Sequence, residues 1–218
     1  MSDSPDEEEV EETKVILVGE SGVGKTNLIN IITGSQFNPE EGASATASFL
    51  NKKLTVKGKE YTIRLWDTIG QESLRHMAKL FYNNSKIVIF VYDITRKKTF
   101  EELNNYWVKT IEEKLGKNVI KGVVANKIDL FMNEDVTQEE GKKYADSIGA
   151  LFLATSAKTD GPGIFEGLLT QLYEQYLKKK EEGPKESDEE NNNSIVLKKN
   201  KKNNNNNKKK KENDCCLK

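Results

Sequence analysis

Lys14-Val-Ile-Leu-Val-Gly-Glu-Ser-Gly-Val-Gly-Lys-Thr26, continuing into Asn27-Leu-Ile-Asn-Ile-Ile32, is the stretch whose reading decides the fold. Lys14–Val18 is an apolar, β-branched run of strand length, and Asn27–Ile32 has helical character. Between them stands G-x-x-x-x-G-K-T, in the strand, loop and helix context that gives this spacing its meaning. Gly19, Gly22 and Gly24 let the backbone wrap closely, so that its N–H groups and the helix N-terminus face an anion. Lys25 then reaches the β and γ phosphates of a nucleoside triphosphate, and the Thr26 hydroxyl is placed to ligate magnesium. Glu20, Ser21 and Val23 within the loop, and Asn27 just behind it, are assigned to the same phosphate site.

Outward from this loop, further strand-length runs recur at Phe49–Val56, Tyr61–Trp66, Ile87–Tyr92, Gly122–Ala125 and Leu151–Ala154. Helix-length segments fall at Lys25–Thr33, Thr99–Leu115, Glu139–Ile148 and Ile164–Lys180. The first two of these later strands flank Lys57-Gly58-Lys59, which reads as a hairpin turn. The others are nearly continuous apolar runs, as a parallel sheet covered on both faces requires. The expectation is a doubly wound α/β domain with a mostly parallel, six-stranded sheet, one antiparallel edge strand and helices on both faces. The body shows no internal repeat.

The hydrophobic share of 35% is low for a globular chain, and the deficit lies at the ends. Residues 1–12 are mostly polar or acidic, and residues 181–218 are dominated by Lys, Glu and Asn; both are expected to be disordered. Residues 13–180 carry the fold. No run approaches the roughly 18 apolar residues of a membrane span, and the acidic start lacks the pattern of a secretory signal, so a cytosolic body is expected. The two cysteines, Cys215 and Cys216, are adjacent near the end, where they neither staple a core nor build a zinc site.

Asn126-Lys-Ile-Asp129 follows the strand Gly122–Ala125, at the strand end where open α/β sheets bind ligands. The Asp129 carboxylate accepts the two N–H groups of the guanine Watson–Crick edge, whereas adenine presents an acceptor there. Asn126 ties base and loops together, and Lys127 belongs to the same segment. Thr155-Ser-Ala-Lys158 offers a second base loop, with Ser156 and Lys158 flanking Ala157, whose N–H is placed to meet the guanine O6. In Trp66-Asp-Thr-Ile-Gly-Gln-Glu72, Asp67 is placed to hold magnesium through water, the Gly70 N–H to meet the γ-phosphate, and Gln71 to orient attacking water. Gln71 and Lys25 are the catalytic candidates. His76, the only histidine, is expected at a surface, and Trp107 is expected to serve helix packing.

With these motifs in this order, residues 13–180 resemble a Ras-superfamily GTPase, most similar to the Rab subfamily. Val91-Tyr-Asp-Ile-Thr95, Phe100 and Trp107 resemble Rab segments, and Phe37 matches the aromatic that stacks on guanine. Superposition places Ser44 over the threonine that binds magnesium and senses the γ-phosphate; Thr46 would supply the same groups after a one-loop shift. Ile69 stands where the family has alanine. The resemblance implies a switch that binds GTP or GDP with magnesium, hydrolyses GTP slowly and recruits effectors. Exchange factors and activating proteins, which would supply the missing arginine finger, are further expected partners. A non-hydrolysing GTP-binding adaptor is the alternative, whereas a P-loop ATPase or nucleotide kinase conflicts with Asn126–Asp129. Cys215 and Cys216 resemble the doubly prenylated Rab terminus, and Lys208–Lys211 add a basic signal, so the cytoplasmic face of an intracellular membrane is expected. Vesicle trafficking, a monomeric state and no nucleic-acid partner complete these expectations.

Overall fold

Strand β4 (Ile87–Asp93) is buried along its whole length, as a strand covered on both faces must be. It lies at the centre of a six-stranded sheet in a computed structural model that describes residues 12–34, 48–67 and 81–183. The other strands are β1 (Thr13–Val18), β2 (Ser48–Val56), β3 (Lys59–Asp67), β5 (Ile120–Asn126) and β6 (Leu151–Thr155), in the order β2-β3-β1-β4-β5-β6. Only β2 and β3 pair antiparallel; every other pairing is parallel.

Alternate residues of the central strands feed two separate cores, because side chains in a strand point to opposite faces. Val15, Leu17, Ile87, Ile89 and Val91 pack on one side with helices α1 (Lys25–Ile32) and α5 (Pro162–Glu182), which bring Leu28, Phe165, Leu169 and Leu172. Ile16, Val18, Val88, Phe90 and Tyr92 pack on the other. There they meet Phe100 from α2 (Lys97–Glu102), Leu103 and Trp107 from the turn between α2 and α3 (Val108–Leu115), Ile111 from α3, and Ala145 from α4 (Gln138–Ser147). The expected doubly wound architecture, with its antiparallel edge, is therefore the observed one.

Three local features differ from the sequence reading. The β2–β3 turn has two central residues, Lys57 and Gly58, both at positive φ (49° and 78°), and Lys59 already pairs with Val56. This is the handedness that matches strand twist in a tight hairpin. The helix expected over Thr99–Leu115 starts earlier, at Lys97, and widens into a π-helical turn at Leu103–Trp107. Helix α4 starts at Gln138, behind a reciprocal Thr137–Glu140 cap in which Glu140 N donates to Thr137 Oγ1 (3.2 Å) and Thr137 N to Glu140 Oε2 (2.9 Å).

Candidate nucleotide-binding site

β1 ends at Val18, and the chain turns through three glycines at positive φ before α1 begins: Gly19 (149°), Gly22 (72°) and Gly24 (96°). Two of them are required by close approach as well as by φ. A Cβ on Gly19 would overlap the Val91 carbonyl oxygen, and one on Gly24 would overlap Asn126 Nδ2. Gly24 is the N-cap of α1 and adds no side-chain hydrogen bond there, so the helix begins directly from the loop's main chain. Lys25 is buried, and its Nζ donates to the carbonyls of Gly19 and Glu20, both at 2.9 Å. Burial pushes its pKa down to about 8, against the pull of Asp67 and Glu20. The ammonium is thus held against the loop's own main chain.

Thr26 Oγ1 donates to Asp67 Oδ2 at 2.6 Å, joining the first turn of α1 to the end of β3. A hydroxyl and a carboxylate side by side are hard oxygen donors of the kind magnesium takes, and this ion commonly uses only one or two protein ligands beside phosphate and water. The donor set therefore fits the ion expected from the sequence.

Asn126 is fully buried at the end of β5 and joins three loops. Its Nδ2 donates to Val23 O at 2.7 Å in the phosphate loop, and its Oδ1 accepts from Ala157 N at 3.1 Å. The Ala157 N–H, expected to face a guanine carbonyl, is directed to Asn126, because a buried amide takes the nearest acceptor. Asp129 Oδ1 accepts from Ser156 Oγ at 2.7 Å. Ser156 Oγ in turn accepts from Lys158 N and Thr159 N, while Asp160 Oδ2 accepts from Ser156 N at 2.9 Å. The two base loops are thereby fixed to each other. Lys127 adopts a left-handed conformation (φ 68°) and pairs with Asp93 Oδ2 at 2.7 Å.

Several contacts had no signal in the motifs. Trp107 is more than packing: its Nε1 donates to Glu20 Oε1 at 2.9 Å, so the Glu20 carboxylate anchors the loop to the π-helical turn. Arg96 bridges Asp93 and the Ser21 carbonyl. An aromatic row, Phe49, Trp66 and Phe81, runs along the end of β2 and β3 with centroid spacings of 5.1 and 5.8 Å, and Phe49 is 54% exposed. Phe37, Ser44, Thr46, Ile69, Gly70, Gln71, His76, Cys215 and Cys216 lie outside the described residues.

A parallel sheet whose strand ends bring a glycine-rich phosphate loop, a magnesium-type donor pair and two interlocked base loops together defines a P-loop nucleotide-binding protein. The chain belongs to the Ras family, whose model matches residues 14–175. Among similar proteins, the human Ras-related protein Rab-21 is 41% identical over 145 residues, which cover 66% of this chain and 64% of that protein. Human Rab-22A is 38% identical over 67% of this chain and 75% of its own length. RABA1b of Arabidopsis thaliana is 37% identical over 76% of this chain and 77% of its own. The alignment with Rab-21 thus spans somewhat less than two thirds of that relative's length.

Proposed function

We propose that this chain is a guanine-nucleotide switch that binds GTP and GDP with magnesium and hydrolyses GTP slowly. The observation that carries the reading is Asn126, one buried side chain hydrogen-bonded to both the phosphate loop and the second base loop. A ligand with phosphates at one end and guanine at the other would satisfy both loops together.

In this mechanism the loop amides and Lys25 bind the phosphate chain, and Asp129 selects guanine by accepting its two edge N–H groups. A site built on such bonds discriminates by roughly 10⁴–10⁵. The Ala157 N–H, which donates to Asn126 Oδ1, would share its proton with the guanine carbonyl when the base is bound. Thr26 and Ser44, with Asp67 through water, would hold magnesium, which would supply charge neutralisation for the phosphates. Gln71 orients the attacking water and the Gly70 N–H senses the γ-phosphate, so the stretches carrying Ser44 and Gln71 are ordered in one nucleotide state and released in the other. Those stretches adjoin β2 and β3, whose aromatic row offers effectors an apolar contact surface next to the parts that change. Family membership supports the activity, since Ras-family proteins are GTPases.

The tail reading completes the proposal. One lipid chain gives marginal membrane binding, and Cys215 with Cys216 provides two sites, reinforced by Lys208–Lys211. Cys215 lies 33 positions beyond Glu182, where α5 ends, and a flexible chain of that length would span about 30 Å, enough for the switch to stand clear of a bilayer during vesicle trafficking. The deciding experiment is a single-turnover GTP hydrolysis assay with and without magnesium. Magnesium-dependent release of phosphate is expected; binding without turnover, even with an activating protein, would refute the switch in favour of a locked adaptor.

A further inference from the structure

The end of β4 carries a charged cluster that the nucleotide reading leaves unused. Asp93 is 1% exposed, yet its carboxylate gathers four donors. Oδ1 accepts from Thr95 N at 3.0 Å and Thr95 Oγ1 at 2.7 Å. Oδ2 accepts from Arg96 Nε at 3.0 Å and Lys127 Nζ at 2.7 Å. Burial alone would raise the Asp93 carboxyl, but the hydrogen bonds from Lys127 and Thr95 outweigh it and hold the group below the usual carboxylate range. The backbone around it is fixed as well: Asp93 N donates to Thr99 Oγ1 at 3.1 Å, and Ile94 N to Asn126 O at 3.2 Å.

Arg96 uses the rest of its guanidinium elsewhere. Its Nη2 donates to Ser21 O at 3.1 Å, in the phosphate loop, and the same nitrogen stands 3.5 Å from where a Cβ of Gly22 would be. The planar fork makes the two bonds from separate nitrogens, Nε and Nη2, in a fixed geometry, whereas an ammonium offers all its donors from a single nitrogen. One carboxylate oxygen therefore holds Lys127 of the base loop directly and Ser21 of the phosphate loop through Arg96.

We propose that Asp93 and Arg96 form a latch that couples the guanine loop to the phosphate loop and slows nucleotide release. Arg96 is a positioning residue here: it braces the outer side of the phosphate loop through a main-chain carbonyl. Release requires the phosphate loop and base loop to part from opposite ends of the ligand, and the latch opposes that separation. It acts beside the Asn126 tie, which is buried and neutral, whereas this one is charged and partly open to solvent, with the Arg96 side chain 44% exposed. A partner that drew Arg96 away with a carboxylate of its own would open the site from this side.

The inference rests on the guanine-nucleotide reading, and the test separates the two. Release of a fluorescent GDP analogue is timed, against excess GDP with magnesium present, for the full chain and for Arg96→Ala, Arg96→Gln, Arg96→Lys, Asp93→Asn and the Asp93→Asn/Arg96→Ala double variant. Arg96→Ala and Arg96→Gln are expected to release about tenfold faster, the scale of one charge-assisted hydrogen bond (about 1.4 kcal/mol). Arg96→Lys recovers only part of that, and Asp93→Asn exceeds it because Lys127 is freed too. In the Asp93→Asn background, Arg96→Ala adds less than about twofold, since the latch is already open; a merely structural role would give additive effects. Release from both Arg96 variants at the wild-type rate, or full additivity, overturns the latch and leaves the nucleotide reading standing. Failure of the unaltered chain to bind the GDP analogue overturns that reading and the latch with it.

Discussion

Replacing Asn126 by alanine tests the contact on which the site depends. The side chain makes two buried hydrogen bonds, to Val23 O (2.7 Å) and from Ala157 N (3.1 Å), and both partner groups lie in residues that are themselves buried. Truncation leaves one carbonyl and one amide without these partners, at about 1–3 kcal/mol each, so the folded domain loses about 2–6 kcal/mol. For a domain of this size each kcal/mol lowers the melting temperature by about 2–4 °C, and a loss of about 3 kcal/mol means a fall of roughly 6–12 °C. Thermal unfolding followed by circular dichroism measures this without added nucleotide, and release of a fluorescent GDP analogue measures the effect on the site. Asn126→Asp separates hydrogen bonding from packing: it keeps the size and the acceptor for Ala157 N but sets a carboxylate oxygen against the Val23 carbonyl. It is expected to be at least as damaging as alanine. An Asn126→Asp protein that melts and releases nucleotide like the parent would refute the reasoning, because packing alone would then account for the residue.

Asp129→Asn is expected to weaken GTP binding and improve binding of xanthosine nucleotides, whose extra carbonyl takes a donor from the amide; competition binding with both nucleotides decides it. Gln71→Leu should retain GTP and lose most hydrolysis, especially the part stimulated by an activating protein, since only the positioning of water is removed; normal single-turnover rates would assign that role elsewhere. Trp107→Phe removes the N–H that meets buried Glu20 and should cost about 1.5–3 kcal/mol in urea unfolding, with part recovered by adding Glu20→Gln, because an amide is cheaper to bury than a carboxylate. Exchanging both Cys215 and Cys216 for serine should move the protein from membranes to cytosol in cell fractionation at unchanged GTP affinity, and persistent membrane association would contradict the lipid anchor.

What the sequence made legible is what short-range physics encodes. Alternation and apolar runs located all six strands, because a residue's place in a strand fixes the face it serves, as Ile16 and Val88 do on one side and Leu17 and Ile89 on the other. The phosphate loop was legible because its glycines answer to backbone demands within a few residues. The π-helical turn was not: Leu103, Trp107 and Ile111 keep a spacing that an uninterrupted helix would also give. Nor was the role of Trp107, whose partner Glu20 lies 87 positions away, or that of Asp93, whose partners Arg96 and Lys127 come from two separate stretches.

Those distant contacts follow from strand order, which no single motif contains. With β4 and β6 on either side of β5, Asp93 is level with Asn126, and Asn126 with Thr155, so three loops leave the sheet side by side at the same height. With β1 next to β4, Val18 stands level with Phe90 and the phosphate loop departs beside the end of β4, which brings Ser21 within reach of Arg96 and Gly19 against Val91. Each motif therefore specifies one loop, and the parallel register decides which loops can be tied together. A substitution that shifted the register of β5 by one residue would turn Asn126 to the other face and break both of its loop contacts at once while leaving every motif intact. The affinity of such a site for nucleotide is thus a property of the sheet as much as of the loops, and variants that alter the packing of β5 should be read for nucleotide release as well as for stability.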